Sequence, residues 1–587
     1  MLEKVREDWK AVIAAQIGDM AREAGATGPK PADIIVQEPP RPDMGDLAFP
    51  LFAYAKLLRS APPHIAALLK EKIEALPTRP AGELLVSGPY LNVKIDIPTI
   101  AAELSSMIAR EGTSYGKGSA FDGKRVMVEF SCPNTNKPLH LGHLRNDSLG
   151  ESVSRILKAN GADVRKVNLI NNRGVHICKS MLAYQKFGSG ETPESTGIKG
   201  DKFVGNYYVR FAQWEKEDPS ALEQAQEMLR AWEAGEPETL ALWERMNAWT
   251  LDGLAQTYRK TGIDFDAYYY ESNTYKLGKD IILAGLEKGV FQRDSDGSVW
   301  MDLSDIKLDR KVLLRSDGTS LYMTQDIGTA VQRHEDWPFD SLIYVVASEQ
   351  QYHFRVLFHV LEKLGYSWAP TLYHLSYGMV NLPEGKMKSR EGTVVDADDL
   401  IDNLTALAKE EIISKGREND VDDINATAAS IALGALNYYL LQVTPSKDMI
   451  FNPKDSISFN GNTGPYLQYM GARISSMMRK WEDMREDFKD VPFDPSVLIL
   501  DDERELVRSL AAYPEVVGKA GEGKDPSVLT AYLYDLSRTF SRWYHDNPVL
   551  KADSKSLVCA RVELSSMVLY VLKNAFYLIG VPFLEKM

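Results

Sequence analysis

Hydrophobic and polar positions divide this 587-residue chain into three stretches with different periods. Up to about residue 118, apolar positions recur at helical spacing over 3–24 and 63–76. Between them lies a proline-rich run, Gln37-Glu-Pro-Pro-Arg-Pro-Asp43, which excludes regular structure. Two short runs, 84–86 and 90–95, then read as strands. From about 119 to 400 strand and helix patterns alternate. The strand candidates are 126–130, 164–170, 298–303 and 342–346, and a helical pattern runs from about 144 to 160, where Gly161 stops it. Charged helical segments at 219–233 and 237–259, rich in Trp and Tyr, predict a helical insertion over about 186–260. From about 401 to 587 the pattern is helical throughout, with long apolar-periodic segments at 424–442, 464–481, 504–517, 527–544 and 557–579. The prediction is α/β plus all-α. Residues 1–118 form an N-terminal α+β domain, 119–400 a domain built on a parallel sheet, and 401–587 a helical bundle.

Composition narrows the class. Hydrophobic residues make up 44% and charged residues 26%, as in ordinary globular protein. No apolar run approaches the ~18–20 residues of a membrane span. The first residues, Met-Leu-Glu-Lys-Val-Arg-Glu-Asp, lack a signal-peptide core. The expectation is a cytoplasmic protein with no membrane partner. Cys132, Cys178 and Cys559 are too scattered for a disulfide framework or a zinc knuckle, so no structural zinc is expected. A net charge of −14 argues at first sight against a nucleic-acid binder. A large acidic chain can still carry local basic surface, but composition does not show one.

Candidate chemistry centres on His140-Leu-Gly-His143. The strand 126–130, a loop and a helix place these histidines where a strand hands over to a helix N-terminus. Such an end offers N–H donors and a positive dipole, which suit phosphate. In a parallel α/β sheet ligands bind beyond the carboxyl ends of the strands, which is this position. Imidazoles at i and i+3 face one nucleotide together, and Gly142 lets adenine approach the backbone. The plainer alternative is two histidines that merely cap a helix. A second cluster, Gly385-Lys-Met-Lys-Ser-Arg-Glu-Gly392, is a glycine-bracketed loop whose three cations suit a triphosphate. A basic loop alone is more often simply solvated. The two clusters in one chain point to expulsion of pyrophosphate from ATP.

These motifs resemble the "HIGH" and "KMSKS" signatures of class I aminoacyl-tRNA synthetases. The chain is similar to the arginyl-tRNA synthetases nearly end to end. The resemblance is carried by Glu129-Phe-Ser-Cys-Pro-Asn-Thr-Asn-Lys137, Tyr322-Met-Thr-Gln-Asp326, Glu349-Gln-Gln-Tyr-His353-Phe354 and Gly461-Asn-Thr-Gly-Pro-Tyr-Leu-Gln-Tyr469. It implies a Rossmann-like catalytic domain, an N-terminal additional domain that contacts tRNA, and an anticodon-binding helical domain. It implies that L-arginine, ATP (with Mg²⁺ arriving on the ATP) and tRNA(Arg) are the partners, and that the enzyme is a monomer. His140, His143, Lys137, Lys386 and Lys388 would act on the phosphates, and Gly142, Met387 and Ser389 would line the ATP site. Glu129 and Asp326 would hold the guanidinium beside Tyr322, with Asn134 and Gln350 at the amino and carboxylate ends. Two carboxylates are the partners a planar guanidinium needs. A tRNA surface is expected from Asn92, Tyr466, Gln468, Tyr469, Trp543, Tyr544 and Met587, where aromatic residues at helical spacing would stack on loop bases.

Two departures stand out. The loop reads Lys386-Met-Lys-Ser-Arg390, so a lysine of the class signature is displaced, and Lys137 would share its charge. Asn171-Asn-Arg-Gly174 replaces a Gly-Asp-Trp-Gly common in relatives, with no role assigned. Competing readings are a synthetase for another amino acid, a non-catalytic RNA-binding paralogue, and a short nucleotidylyltransferase. Three cysteines do not furnish a cysteinyl enzyme's zinc set, the signature histidines and lysines are present, and the chain is too long for the last.

Overall fold

The computed structural model describes residues 1–383 and 395–587. These form two compact units. One comprises Met1–Gly116, Arg473–Val516 and Asp535–Asn574; the other comprises Lys117–Ala472, Val517–Tyr534 and Ala575–Met587. The long C-terminal helices therefore contribute to both cores, and the compact units cut the chain differently from boundaries at 118 and 401.

In the first unit a three-stranded antiparallel sheet is ordered Leu47–Pro50, Tyr90–Ile95, Gly82–Ser87. The helices Leu2–Glu23 and Pro62–Glu74 match the periodicity. The strand Leu47–Pro50 and the helix Ile97–Glu111 were not legible as elements. The amino-terminal stretch is tied to the C-terminal helices of its own unit. The Tyr115 hydroxyl donates to the Leu510 carbonyl at 2.9 Å, and Arg6 pairs with Glu515 at 3.0 Å.

The second unit is organised by a five-stranded parallel sheet. Its order is Leu372–Tyr377, Ser341–Ala347, Arg125–Glu129, Asp163–Ile170, Ala267–Tyr270. Numbered along the chain this is 5-4-1-2-3, which from the other edge reads 3-2-1-4-5, the doubly wound order. Succession runs one way from Arg125–Glu129 and then jumps to its other side at Ser341–Ala347. The topological switch point lies between those two strands, with Glu129 opposite Tyr344 in register. Three of the four strands expected here form, within a residue or so. The fourth, Val299–Met301, belongs instead to a separate three-stranded antiparallel sheet with Gln292–Arg293 and Lys311–Leu314. The edge strands Ala267–Tyr270 and Leu372–Tyr377 were not anticipated.

One described helix, Ile424–Leu441, is apolar enough over 18 residues to match a membrane span by length and composition. This corrects the expectation that no such run exists. Within the unit it is a core helix: Ala432 and Leu436 pack with Leu400 and Leu404, and Ala428 and Ile431 with Ala408 and Ile412.

The helix Leu141–Ala159 lies against the sheet through Gly150, where an added Cβ would sit 2.2 Å from Phe130 Cγ. Phe130 is fully buried and has nowhere to retreat. Gly150→Ala gains about 1 kcal/mol of helix propensity. It costs about 1–3 kcal/mol of overpacking, at the upper end for so short a contact. The expected outcome is a net loss of stability, read as a lower urea midpoint. An unchanged midpoint would show that the helix is free to move off the sheet.

Candidate active site

Beyond Glu129 the chain makes an unusual turn. Ser131 and Cys132 both adopt left-handed backbone, at φ 72° and 49°. Each such non-glycine residue costs on the order of 1–3 kcal/mol and persists only where its surroundings fix it. Here carboxamides fix it. The Ser131 N–H donates to Asn146 Oδ1 at 2.6 Å, and the Cys132 N–H donates to Asn168 Oδ1 at 3.1 Å. Asn146 also donates to the Val345 carbonyl at 2.7 Å, which joins the two strands of the switch point. The Ser131 and Tyr258 hydroxyls share a hydrogen bond of 2.6 Å.

The loop that follows is knitted to Asn171. Its N–H donates to the Pro133 carbonyl at 2.9 Å, its carbonyl accepts from Thr135, and its side chain donates to the Cys132 carbonyl at 3.0 Å. Asn172 is buried and bonded twice to Ser272. Arg173 lies 4.0 Å over the Tyr275 ring and pairs with Glu233. The three residues without an assigned role thus hold the floor of the site. Asn134 is exposed at its lip, paired across a backbone bridge with Asn171.

His140 is the N-cap of the helix Leu141–Ala159, which begins about three residues earlier than the periodicity suggested. Its Nδ1 accepts from the Gly142 N–H at 3.1 Å, and His143 Nδ1 accepts from the His140 N–H at 3.1 Å. The capping alternative is therefore true as far as it goes. It also fixes the chemistry. With both Nδ1 atoms accepting, each neutral ring carries its proton on Nε2. The rings lie 3.9 Å apart and make a pair of N–H donors. Burial, then the Lys137 charge, pushes His140 down to about 3, and burial holds His143 well below its ordinary value. Lys137 is half-buried, and burial lowers it as well. A cavity of about 230 Å³ opens beside Lys137 and His140, walled by Lys202, Tyr208, Asp396 and Asp399.

The acidic side of the site is built differently. Glu129 is buried at the end of its strand, and its carboxylate pairs with Arg333. Burial raises its pKa while the guanidinium opposes the rise. Asp326, on the helix Tyr322–Asp336, meets His353 Nε2 at 2.6 Å. Glu271 is a third carboxyl, half-buried just past the strand Ala267–Tyr270, and burial pushes it up to about 7. The Asp326 charge raises both Glu129 and Glu271. Of the two carboxylates expected to hold a guanidinium, Glu129 has an internal guanidinium beside it and Asp326 an imidazole. Tyr322 is 74% exposed. Gln350 is exposed just past the strand Ser341–Ala347. A larger cavity, about 650 Å³, is lined by Tyr322 with Arg173, Tyr275, Lys276, Lys279 and Arg315. Lys386, Met387, Lys388 and Ser389 lie outside the described residues.

Comparison with known proteins decides the family. Residues 103–453 match the class I (R) tRNA synthetase catalytic domain, 467–587 the DALR anticodon-binding domain, and 7–95 the arginyl-tRNA synthetase N-terminal domain. The arginine–tRNA ligase of Treponema denticola is 55% identical, with both chains covered in full. That of Borrelia hermsii is 42% identical over the same coverage. The chain belongs to the arginyl-tRNA synthetases. The arginyl-tRNA synthetase structure of Thermus thermophilus superimposes with a TM-score of 0.77 at 28% identity, covering 98% of this chain and 99% of that one.

For this synthetase four residues of the expected tRNA surface, Trp543, Gln468, Asn92 and Met587, are buried, while Tyr466, Tyr469 and Tyr544 are half-buried. Trp543 is wholly buried, and its indole N–H reaches Glu503 Oε1 at 3.3 Å, beside Arg561. Gln468 is buried and donates to the Ser430 and Pro582 carbonyls at 3.0 and 2.9 Å. Asn92 is buried with its amide on the Met44 carbonyl. Met587 is buried in a cluster to which Tyr469 is packed, with Arg417 over the tyrosine ring. Tyr466 meets Tyr534, and Tyr544 stacks on Phe540 under Arg473. Helical spacing shows which residues share a face but not which face turns inward. Sequence reasoning also missed Arg333 and Glu271, and quoted His353 without giving it a role. Glu271 had one available signal, its place at the carboxyl end of a parallel strand, but that strand was itself missed.

Trp543→Ala is expected to lower stability by about 3–5 kcal/mol and to leave tRNA affinity unchanged in the folded fraction. Lost tRNA affinity with an unmoved melting midpoint would return Trp543 to the interface. A pH prediction follows from the histidines. Both are held below the unfolded value of about 6.5, so the unfolded chain takes up protons first as pH falls. The stability they confer is present above about pH 6.5 and is lost toward pH 3. His143→Asn should flatten the acid side of the stability profile, by at most ~1.4 kcal/mol per pH unit. An unchanged slope in urea titrations would mean that the imidazole is charged in the fold.

Proposed function

We propose that this synthetase joins L-arginine to tRNA(Arg) in two steps at the carboxyl edge of its parallel sheet. In the first, the arginine carboxylate attacks the α-phosphorus of ATP and pyrophosphate leaves. In the second, a terminal ribose hydroxyl of the tRNA attacks the adenylate carbonyl, gives up its proton, and AMP leaves. The observation that carries the reading is the pair of neutral Nε2–H imidazoles at the switch point, in a chain whose opposite wall is acidic. Donors already aimed where charge gathers need no reorganisation during reaction. His140, His143 and the backbone near Gly142 would meet the phosphates. Lys137, disfavoured as a buried cation, gains most from an anionic neighbour. Lys386, Met387, Lys388 and Ser389 would contribute by their place in the signature. Magnesium would travel on the triphosphate, with phosphate and water oxygens supplying the six ligands it prefers.

The guanidinium of arginine would bind at Asp326, which is half-buried where Glu129 is buried, with Glu129 and Glu271 supplying field rather than direct forks. Tyr322 would cover it, and Asn134 and Gln350 would meet the other end. The larger cavity suits the single-stranded end of tRNA, because its cations match phosphodiesters and Tyr322 offers a stacking face. The protein would work in a reducing cytoplasm, where its three free thiols would persist.

The test is pyrophosphate exchange into ATP, run with tRNA present and each amino acid in turn. Arginine alone should support it. In Asp326→Asn the arginine KM should rise steeply, since losing one partner of a desolvated charge pair costs on the order of 3–5 kcal/mol. The KM for ATP should stay within about twofold. Unchanged arginine kinetics would remove Asp326 from the pocket.

A further inference from the structure

The helical insertion has no role in the chemistry described so far, yet its helices touch the turn after Glu129, the loop that leads to His140, and Asn172. Tyr258, on the helix Pro237–Thr261, bonds the strained turn at Ser131 and accepts from Asn168 at 3.1 Å. Thr250 donates to the Thr135 carbonyl at 3.2 Å, and the Trp243 indole donates to the Asn172 carbonyl at 2.7 Å. On the helix Gly200–Glu217, a Cβ on Gly205 would lie 2.9 Å from Pro138 Cδ, so that helix rests on the residues just before His140.

The remaining contact is ionic. Backbone bridges join the histidine motif to Val395–Ala397: Leu141 N–H to the Val395 carbonyl at 3.3 Å, and Ala397 N–H to the Leu139 carbonyl at 3.0 Å, flanking the His140–Asp396 pair. The helix Ala397–Ser414 starts there, and its first turns carry Asp398, Asp399 and Asp402. Each is held by a lysine of the insertion. Lys202 meets Asp399 at 2.8 Å, and Lys260 meets Asp398 and Asp402 at 3.3 and 2.5 Å. Lys199 is the most enclosed. Its ammonium is 2.7 Å from Asp398, 2.9 Å from the fully buried Asp201 and 2.6 Å from the Thr257 hydroxyl. Three oxygens satisfy its three donors and leave it one orientation.

We propose that the insertion is a positioning frame for the histidine motif, and that Lys199 is the positioning residue through which it fixes the segment bridged to His140. A displacement of about 1 Å in such a support costs up to ~10²-fold in rate without loss of folding. The proposal rests on the arginine-activating reading of the site.

The test compares wild type, Lys199→Met and Lys199→Arg in arginine-dependent pyrophosphate exchange with tRNA present. Equilibrium arginine binding and thermal melting are measured on the same samples. Lys199→Met should lose roughly 10- to 100-fold in exchange kcat, with arginine binding within about twofold and the folded fraction intact. Lys199→Arg, which keeps the charge, should recover most of the loss. If Lys199→Met does not fold, Asp398→Asn keeps the shape of the junction and is read in the same way. Kinetics within twofold of wild type would overturn the frame. So would losses in exchange and arginine binding that both track the folded fraction, because they describe mere stabilisation. Absence of exchange in the wild-type enzyme would overturn the reading itself, and the proposal with it.

Discussion

The site depends on two consecutive residues held where side chains rarely go. Ser131 and Cys132 turn the chain sharply at the end of the first strand of the sheet. Without that turn Glu129 would not lie on one side of the switch point while Lys137 and His140 lie farther along the loop. The strain of ~1–3 kcal/mol per residue would relax were the two N–H groups not bound by Asn146 and Asn168. Both carboxamides are buried. A buried amide that lost its partner would add its own desolvation cost, so releasing the turn is penalised twice. Asn146 carries the constraint further, since its other end ties down Val345 on the neighbouring strand. One side chain of the motif helix thus bridges the turn and the neighbouring strand just beyond their last paired residues, Glu129 and Tyr344.

From this turn the two walls acquire opposite electrostatics. On the histidine side, burial strips charge from both rings, and capping bonds dictate which nitrogen keeps its proton. Neutral donors attract a phosphate less at long range than cations do, but they cost far less to bury. On the other side the Asp326 charge acts on both Glu129 and Glu271, with Arg333 compensating the buried Glu129 and lying 4.9 Å over the Tyr269 ring. Arg333 is itself almost wholly buried. Neither member of that pair can be removed without stranding the other charge, which costs several kcal/mol. Glu129 is met by Arg333 and Asp326 by His353, so the negative charge this wall offers a cationic ligand depends on those two partners.

Much of this was legible in the chain, for identifiable reasons. Strand, loop, histidine pair and helix are contiguous, so local spacing alone places His140 and His143 at a helix start. The long C-terminal helices announce themselves because a 3.6-residue period sustained over 20 residues is hard to mistake. The edge strands failed for the converse reason. Ala267–Tyr270 is four residues, three of them tyrosine, and Leu372–Tyr377 mixes His and Ser with its apolar positions. Neither shows the apolar run of a central parallel strand. Trp543 failed through distance in sequence. The core that buries it belongs to a unit made partly of residues 1–116, and no periodicity within 527–546 encodes what will cover one face. Arg333 and Glu129 are 204 positions apart, so their pairing was likewise beyond local reading.

Net charge is the remaining apparent conflict. A chain of −14 has little business holding a polyanion if charge is counted as a sum. Charge acts by position, because exposed charges more than about 8–10 Å apart are largely screened at physiological salt. The cavity beside Tyr322 gathers Arg173, Lys276, Lys279 and Arg315, against Glu233 and Asp317, so its local balance is positive. A phosphodiester entering there feels those cations at close range and the rest of the surface hardly at all. A negative sum therefore sets no bar to a local nucleic-acid contact, either at this cleft or on the segment 467–587 that matches an anticodon-binding domain, because each contact is decided by the charges within a screening length of it.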